Sequence, residues 1–341
     1  NHIFPGAQIF IAKNGEVIAD EGFGHFTYDL DSPQVDSNTM YDVASLTKVL
    51  ATTPIFMKMT SKKQLALDQE VSQFYPEFTG GGRGDVTLRH LLTHSSGLPG
   101  YYQYFLHDRF HSRADILNDI LKREIEFTPG THFTYSDLGI ILLGSVIEKV
   151  SRRPLDELAS RWVFNPLGMK STMFNPPKEM IPRIAPTEFD SLYRHKLIRG
   201  EVHDENAWLM GGVAPHAGVF STAEDMGKYA QMLINGGTYL GTRFFSSRQI
   251  RQYTKRQELP HGSDRAIGWD TPSRNGTSSA GDLFSNSSFG HLGFTGTSMW
   301  IDPEKKIIII LLTNRVYPTR ERGGIWEVRR SFYTEAMKAL L

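Results

Sequence analysis

Strand-forming sequence gathers at the two ends of this 341-residue chain, which limits the folds open to it more than any other feature. Residues 7–24 hold two apolar-rich runs split by Asn14-Gly15, the strongest short signal for a β-hairpin. Near the other end, 297–301 and 306–313 flank Asp302-Pro303-Glu304-Lys305, a turn sequence, so a second antiparallel pair is expected. Between the ends the apolar period moves from two toward 3.6, predicting helices over 114–123, 138–150, 154–163 and 222–235. The last of these opens on Ser221-Thr-Ala-Glu224, read as a capping box, and stops at Asn235-Gly236-Gly237. Residues 325–341 have helical spacing after Gly323-Gly324. The economical solution is an α+β fold of the α/β sandwich type, with strands from both termini in one antiparallel sheet flanked by helices. Residues 1–60 and 265–341 would form the sheet lobe and 61–264 a mostly helical lobe, with the site in the cleft between them.

Charge and cysteine content narrow the function. With 37 Lys+Arg against 37 Asp+Glu there is no net charge, which argues against a nucleic-acid or membrane-surface binder and favours a small-molecule or peptide substrate. No cysteine is present, which removes thiol catalysis, disulfides and thiolate metal sites. The longest apolar run, 307–312, is too short to span a bilayer. The opening Asn-His-Ile-Phe-Pro-Gly has no basic-then-apolar leader, so the chain reads as a mature or excised piece or as a cytoplasmic protein.

Chemistry is carried by Ser45-Leu-Thr-Lys48, where a helix is expected to begin. Three residues apart on a helix, the hydroxyl and the amine share a face. A neutral amine there can take the hydroxyl proton, and the helix start offers N–H groups to a developing oxyanion. Two further segments supply context: Tyr135-Ser136-Asp137, and His291-Leu292-Gly293 ahead of a predicted strand.

With these three motifs in order, the chain resembles the penicillin-recognising serine hydrolases, in particular the class C β-lactamase-like branch with its DD-peptidases and esterases. Members carry Ser-x-x-Lys, then Tyr-x-Asn or Ser-x-Asn, then Lys-Thr-Gly or His-x-Gly on a strand. The segments 90–99, 67–68 and 211–225 are similar to the family as well. The resemblance implies a β-lactamase/transpeptidase-like fold and an acyl-enzyme at Ser45, formed on an amide or ester without metal or organic cofactor. It implies Lys48 as neighbouring base, Tyr135 as second proton carrier, and the N–H groups of Ser45 and Phe294 as oxyanion hole. Asp137, His291 and Gly293 would face the substrate, with Gly293 a glycine because substrate lies close along the strand edge. Action in the bacterial periplasm or outside the cell is expected, and the missing initiating Met leaves room for fusion to another cell-wall enzyme.

Some positions depart from the pattern. Asp137 replaces an amide, and an ionised carboxylate only accepts hydrogen bonds. His291 replaces a lysine, which makes positive charge conditional on protonation and predicts weak affinity for carboxylated β-lactams. Ammonium at Lys48 is expected to lower the pKa of Tyr135, and burial to lower that of Lys48. Asp204-Glu205-Asn206 has the residue types of a deacylating site without its surrounding pattern. Asp137 as the N-cap of the helix from 138 is an equal alternative. The aromatic set Tyr101, Tyr102, Tyr104 and Phe105 either lines the cleft or packs in the helical lobe. His90/His94 and His107/His111 have i, i+4 spacing without a zincin glutamate. Arg83-Gly84-Asp85 reads as an accident of a Gly-rich loop, and the sequons at Asn275 and Asn286 matter only in a eukaryotic secretory pathway. Segment 271–290, rich in Ser, Gly and Asn, is expected to be irregular, either a mobile rim loop or a solvated connector. Two rival functions remain: a true class C-type β-lactamase, and a non-catalytic ligand-sensing module on the same fold.

Overall fold

The computed structural model describes residues 3–274, 276 and 278–341. Its main sheet is antiparallel and five-stranded, built from both ends of the chain in the spatial order Phe289–Leu292, Ser298–Asp302, Ile307–Thr313, Gly6–Lys13, Glu16–Gly24. Asn14 and Gly15 both have positive φ, the geometry of the tight hairpin turn that suits strand twist. At the second hairpin Asp302 Oδ1 accepts from the N–H groups of Glu304 and Lys305, both at 3.0 Å, closing the turn with a side chain.

Strand Ile307–Thr313 is buried along its whole length because both its faces are covered. Ile308, Ile310 and Leu312 join the main core with Met226, Tyr229 and Leu233 of helix Ala223–Ile234. Ile307 and Ile309 turn the other way, onto Tyr333 and Met337 of the terminal helix Ile325–Leu340. Trp300 and the loop residues Ala280 and Phe284 complete that second cluster, so part of segment 271–290 is packed. Asn275 and Thr277 of the first sequon lie outside the described residues.

The helices fall close to their expected spans, with two shifts at their starts. Helix Ala223–Ile234 is capped by Thr222, whose side chain accepts from Asp225 N at 3.3 Å, one residue later than the Ser221/Glu224 box. Helix Asp137–Ser151 is capped by Ser136, whose Oγ accepts from Gly139 N at 3.0 Å. Asp137 is therefore the first helical residue and not the cap, which frees its carboxylate. The expected helix over 154–163 is regular only over Leu155–Ala159 and continues as a wider turn, Ser160–Phe164.

Around the Ser-x-x-Lys motif the chain makes a tight turn, Ala44–Leu46, then a wide turn, Lys48–Thr52, and then a regular helix, Thr53–Ser61. Pro54 explains the widening: it has no N–H to return to Leu50, so the preceding turn loosens. All five residues of the wide turn are buried, which makes this a central helix.

Candidate active site

Ser45 sits where this helix starts, just after Ala44, whose φ of 48° is unusual for a residue with a side chain. Asp42 Oδ1 accepts from Ala44 N at 2.8 Å and stabilises that bend. Lys48, only 1% exposed, extends its Nζ to Ser45 Oγ at 2.9 Å, to the carbonyl of His216 at 3.0 Å and to Asp137 Oδ1 at 2.7 Å. The Tyr135 ring lies 5.0 Å from that nitrogen, and its hydroxyl hydrogen-bonds to both Lys48 and Ser45. Three segments, with 168 positions between Lys48 and His216, thus meet around one ammonium group.

Electrostatics here differ from the sequence expectation. Burial works against the charge on Lys48, but Asp137 and Tyr135 outweigh it and hold the pKa above the usual lysine value. Burial likewise raises Tyr135, helped by Asp137, and the lowering by Lys48 does not compensate. Both shifts run upward, where the sequence reading had both downward. The physical reasons are the direct ion pair of Asp137 with the lysine and the burial of the phenol.

Two histidines frame the tyrosine. His94, buried and with φ of 56°, accepts from Ser136 N through Nδ1 at 3.0 Å and stacks on Tyr135 with ring centroids 4.5 Å apart. His90 instead serves the cap of its own helix, its Nδ1 accepting from Thr87 N at 3.1 Å. His291 is 2% exposed and donates Nδ1–H to the carbonyl of Leu292 at 2.8 Å, while its Nε2 is buried without a partner. Burial, with Arg265 and Lys48 nearby, pushes its pKa well below the ordinary value. His291 is thus a neutral acceptor, and the conditional positive charge expected of it is absent at neutral pH.

The turn after His291 carries Phe294. A Cβ on Gly293 would lie 2.1 Å from Thr297 Oγ1 and 2.5 Å from Val43 O, so the protein's own packing demands the glycine. Close approach of substrate is not needed to explain it. Thr297 Oγ1 donates to Val43 O at 3.0 Å and Thr295 Oγ1 to Asp42 O at 2.7 Å, tying this turn to the segment that precedes Ser45. Among the described residues, no acceptor is bonded to Phe294 N–H.

These groups line a pocket of about 610 Å³ that contains Ser45, Tyr135, Asp137, His291, Gly293 and Phe294. Of the aromatic set only Tyr101 reaches it; Tyr104 and Phe105 are buried, and Tyr102 packs against Tyr104, His107 and Phe110. Asp204 and Glu205 line it as well, whereas Asn206 is spent on backbone groups of Tyr102 and Tyr104. Sequence reasoning missed four pocket arginines: Arg265, Arg315, Arg320 and Arg329. Arg265 pairs with Asp270 at 2.6 Å and lies over the Tyr135 ring. No local spacing signals these residues, because each reaches the pocket from a different segment.

The family model described as Beta-lactamase matches residues 1–333. A Salmonella typhi protein named "Putative D-alanyl-D-alanine carboxypeptidase" is 32% identical over 346 residues, covering 92% of this chain and 79% of that protein. Among solved structures, a penicillin-binding protein homologue from Caulobacter crescentus superposes with a TM-score of 0.78 at 20% identity, covering 98% of this chain and 92% of that one. A class C β-lactamase from Rhodobacter sphaeroides gives 0.76 at 19% identity, covering 99% and 95%. The β-lactamase/transpeptidase-like α+β fold is thereby shown. On the family match across almost the whole length, the chain belongs to the Beta-lactamase family, as a serine hydrolase of the β-lactamase and penicillin-binding type.

Proposed function

We propose that the protein forms an acyl-enzyme at Ser45 on an amide or ester, and that a peptidoglycan-like peptide or a small ester is the substrate. The observation that carries this reading is the 2.9 Å contact between Lys48 Nζ and Ser45 Oγ, inside the pocket that also holds Tyr135 and Phe294. Ser45 Oγ attacks the carbonyl carbon as its proton passes to the Lys48/Tyr135 pair. The oxyanion is received by the N–H groups of Ser45 and Phe294, and the leaving group departs with a proton from Tyr135. Water, deprotonated by the same pair, then releases the acyl group. Asp137 and His291, both acceptors, face the substrate in the same pocket.

The carboxypeptidase name of the Salmonella relatives supports a D-alanyl peptide and action in the periplasm or outside the cell. Against efficient lactamase work stands Asp137, which cannot donate to a lactam side-chain amide. Acyl-enzyme mass spectrometry across p-nitrophenyl esters, D-Ala-D-Ala peptides and β-lactams tests the reading. Wild type should gain the acyl mass and Ser45→Ala should not. Nitrocefin turnover that continues past one equivalent would favour the lactamase instead, and no labelling by any acylating agent would leave a ligand-sensing module.

A further inference from the structure

Of Ser45, Lys48 and Tyr135, only the tyrosine lies outside every helix, strand and helical turn, in the segment just before helix Asp137–Ser151. Its ring must be held by something other than its own element, and the contacts converge on one residue. His94 O accepts from Thr134 N at 2.9 Å, and His94 Nδ1 accepts from Ser136 N at 3.0 Å. The His94 ring stacks on the Tyr135 ring, with centroids 4.5 Å apart and 32° between the planes. The tyrosine and the residues on both sides of it are thus held from His94.

A side chain on left-handed backbone persists only where its surroundings over-determine it. His94 keeps its φ of 56° inside the run 93–96, no residue of which is more than 1% exposed. Burial, with Arg265 and Lys48 nearby, pushes its pKa well below the ordinary value, which keeps the ring neutral. Only a neutral ring can accept from Ser136 N, and accepting there puts the proton on Nε2. That Nε2 is buried without a partner. Satisfying the Ser136 N–H needs an acceptor and no ring, and an asparagine, which tolerates such a φ, would supply one. The ring and its unpaired N–H are explained instead by the flat face offered to the tyrosine.

We propose that His94 is the positioning residue of Tyr135: its stacked ring, with the two backbone bonds on either side, holds the phenol oxygen where it reaches both Ser45 and Lys48. This rests on the reading of Tyr135 as the proton carrier at Ser45. Other charged or titratable groups face the tyrosine as well. Lys48 Nζ and the Arg265 guanidinium lie 5.0 and 5.2 Å from its ring centroid, the His291 ring is 6.1 Å away, and Asp137 stands behind Lys48. Among the described residues, none of these four side chains bonds to the backbone of 134–136.

The test is a double-mutant cycle on a p-nitrophenyl ester. His94→Asn keeps an acceptor for Ser136 N and removes the ring. It should lower kcat about tenfold or more, with KM within about twofold and the protein folded by circular dichroism. In the Tyr135→Phe background, which has no phenol oxygen to position, the same change should cost less than about twofold. A kcat for His94→Asn within about twofold of wild type overturns the proposal. An equal loss in both backgrounds overturns it too and leaves His94 as a general support of the fold. If His94→Asn does not fold, wild type alone decides: in a carbon-13 tyrosine spectrum assigned through Tyr135→Phe, the ring protons of Tyr135 should be displaced by the stacked imidazole, and a signal at the ordinary tyrosine position overturns the stack. Absence of p-nitrophenol release by wild type, or a Tyr135→Phe enzyme as fast as wild type, would instead sink the readings of Ser45 or Tyr135 beneath it.

Discussion

Lys48 serves three acceptors with one ammonium group, and Asp137 is the one that fixes its protonation. Raised values for both Lys48 and Tyr135 mean that the resting site holds an ammonium and a phenol at neutral pH. Ser45 must lose a proton to a group that is almost wholly protonated there, so kcat/KM should climb by about tenfold per pH unit through neutrality. Because Asp137 raises both groups, Asp137→Asn should shift that climb toward lower pH and increase the rate on a phenyl ester at pH 7 severalfold. The buried lysine then sheds its proton more readily than it stays charged without a counter-ion. A pH profile of the variant that stays in place, or moves to higher pH, would refute this assignment. Ser45 and Lys48 were legible in sequence because positions three apart on a helix share a face and two companion motifs, 135–137 and 291–293, follow them in order. Arg329 was not: it lies 36 positions from Gly293, and no local pattern announces a contact of that range.

At the scale of elements, hairpins were easier to read than helix starts. Asn14-Gly15 has a single comfortable turn geometry, whereas Ser221 and Thr222, like Ser136 and Asp137, offer two adjacent capping side chains and only packing chooses between them. The same hairpin leaves a polar misfit. Asp20, on edge strand Glu16–Gly24, has a buried Oδ1 without a partner, and its pKa is raised to about 6 by burial and by Glu224, against the pull of Lys228. A carboxyl with a higher folded than unfolded value holds its proton longer in the folded state, so stability falls as pH rises from about 4 to 6 and stays lower above. Asp20→Asn should therefore stabilise the protein at pH 7 by about 1 kcal/mol, a figure reduced from the full shift because the group is partly solvated. Urea melts at pH 4 and pH 7 check it: the gain should vanish at the lower pH, and an equal gain at both would assign it to something other than titration.

For the molecule as a whole, the termini are joined by the sheet, and the site depends on that joint. The apolar run 307–312 signalled a strand buried on both faces, but its place between Gly6–Lys13 and Ser298–Asp302 could not be read from the chain, since strand order follows from which faces the helices cover. The terminal helix covers one of those faces and also supplies Arg329 to the pocket. Packing and function are nonetheless separable along it. Met337 is fully buried against the far side of the sheet, eight residues beyond Arg329 and not among the residues that line the pocket. Met337→Ala should cost about 2–4 kcal/mol of unfolding free energy through the cavity it leaves, while kcat on a p-nitrophenyl ester, normalised to folded protein, stays within about twofold of wild type. A matched fall in kcat would mean that the helix transmits its seating to the Gly293–Thr297 turn, because Arg329 bonds both ends of that turn.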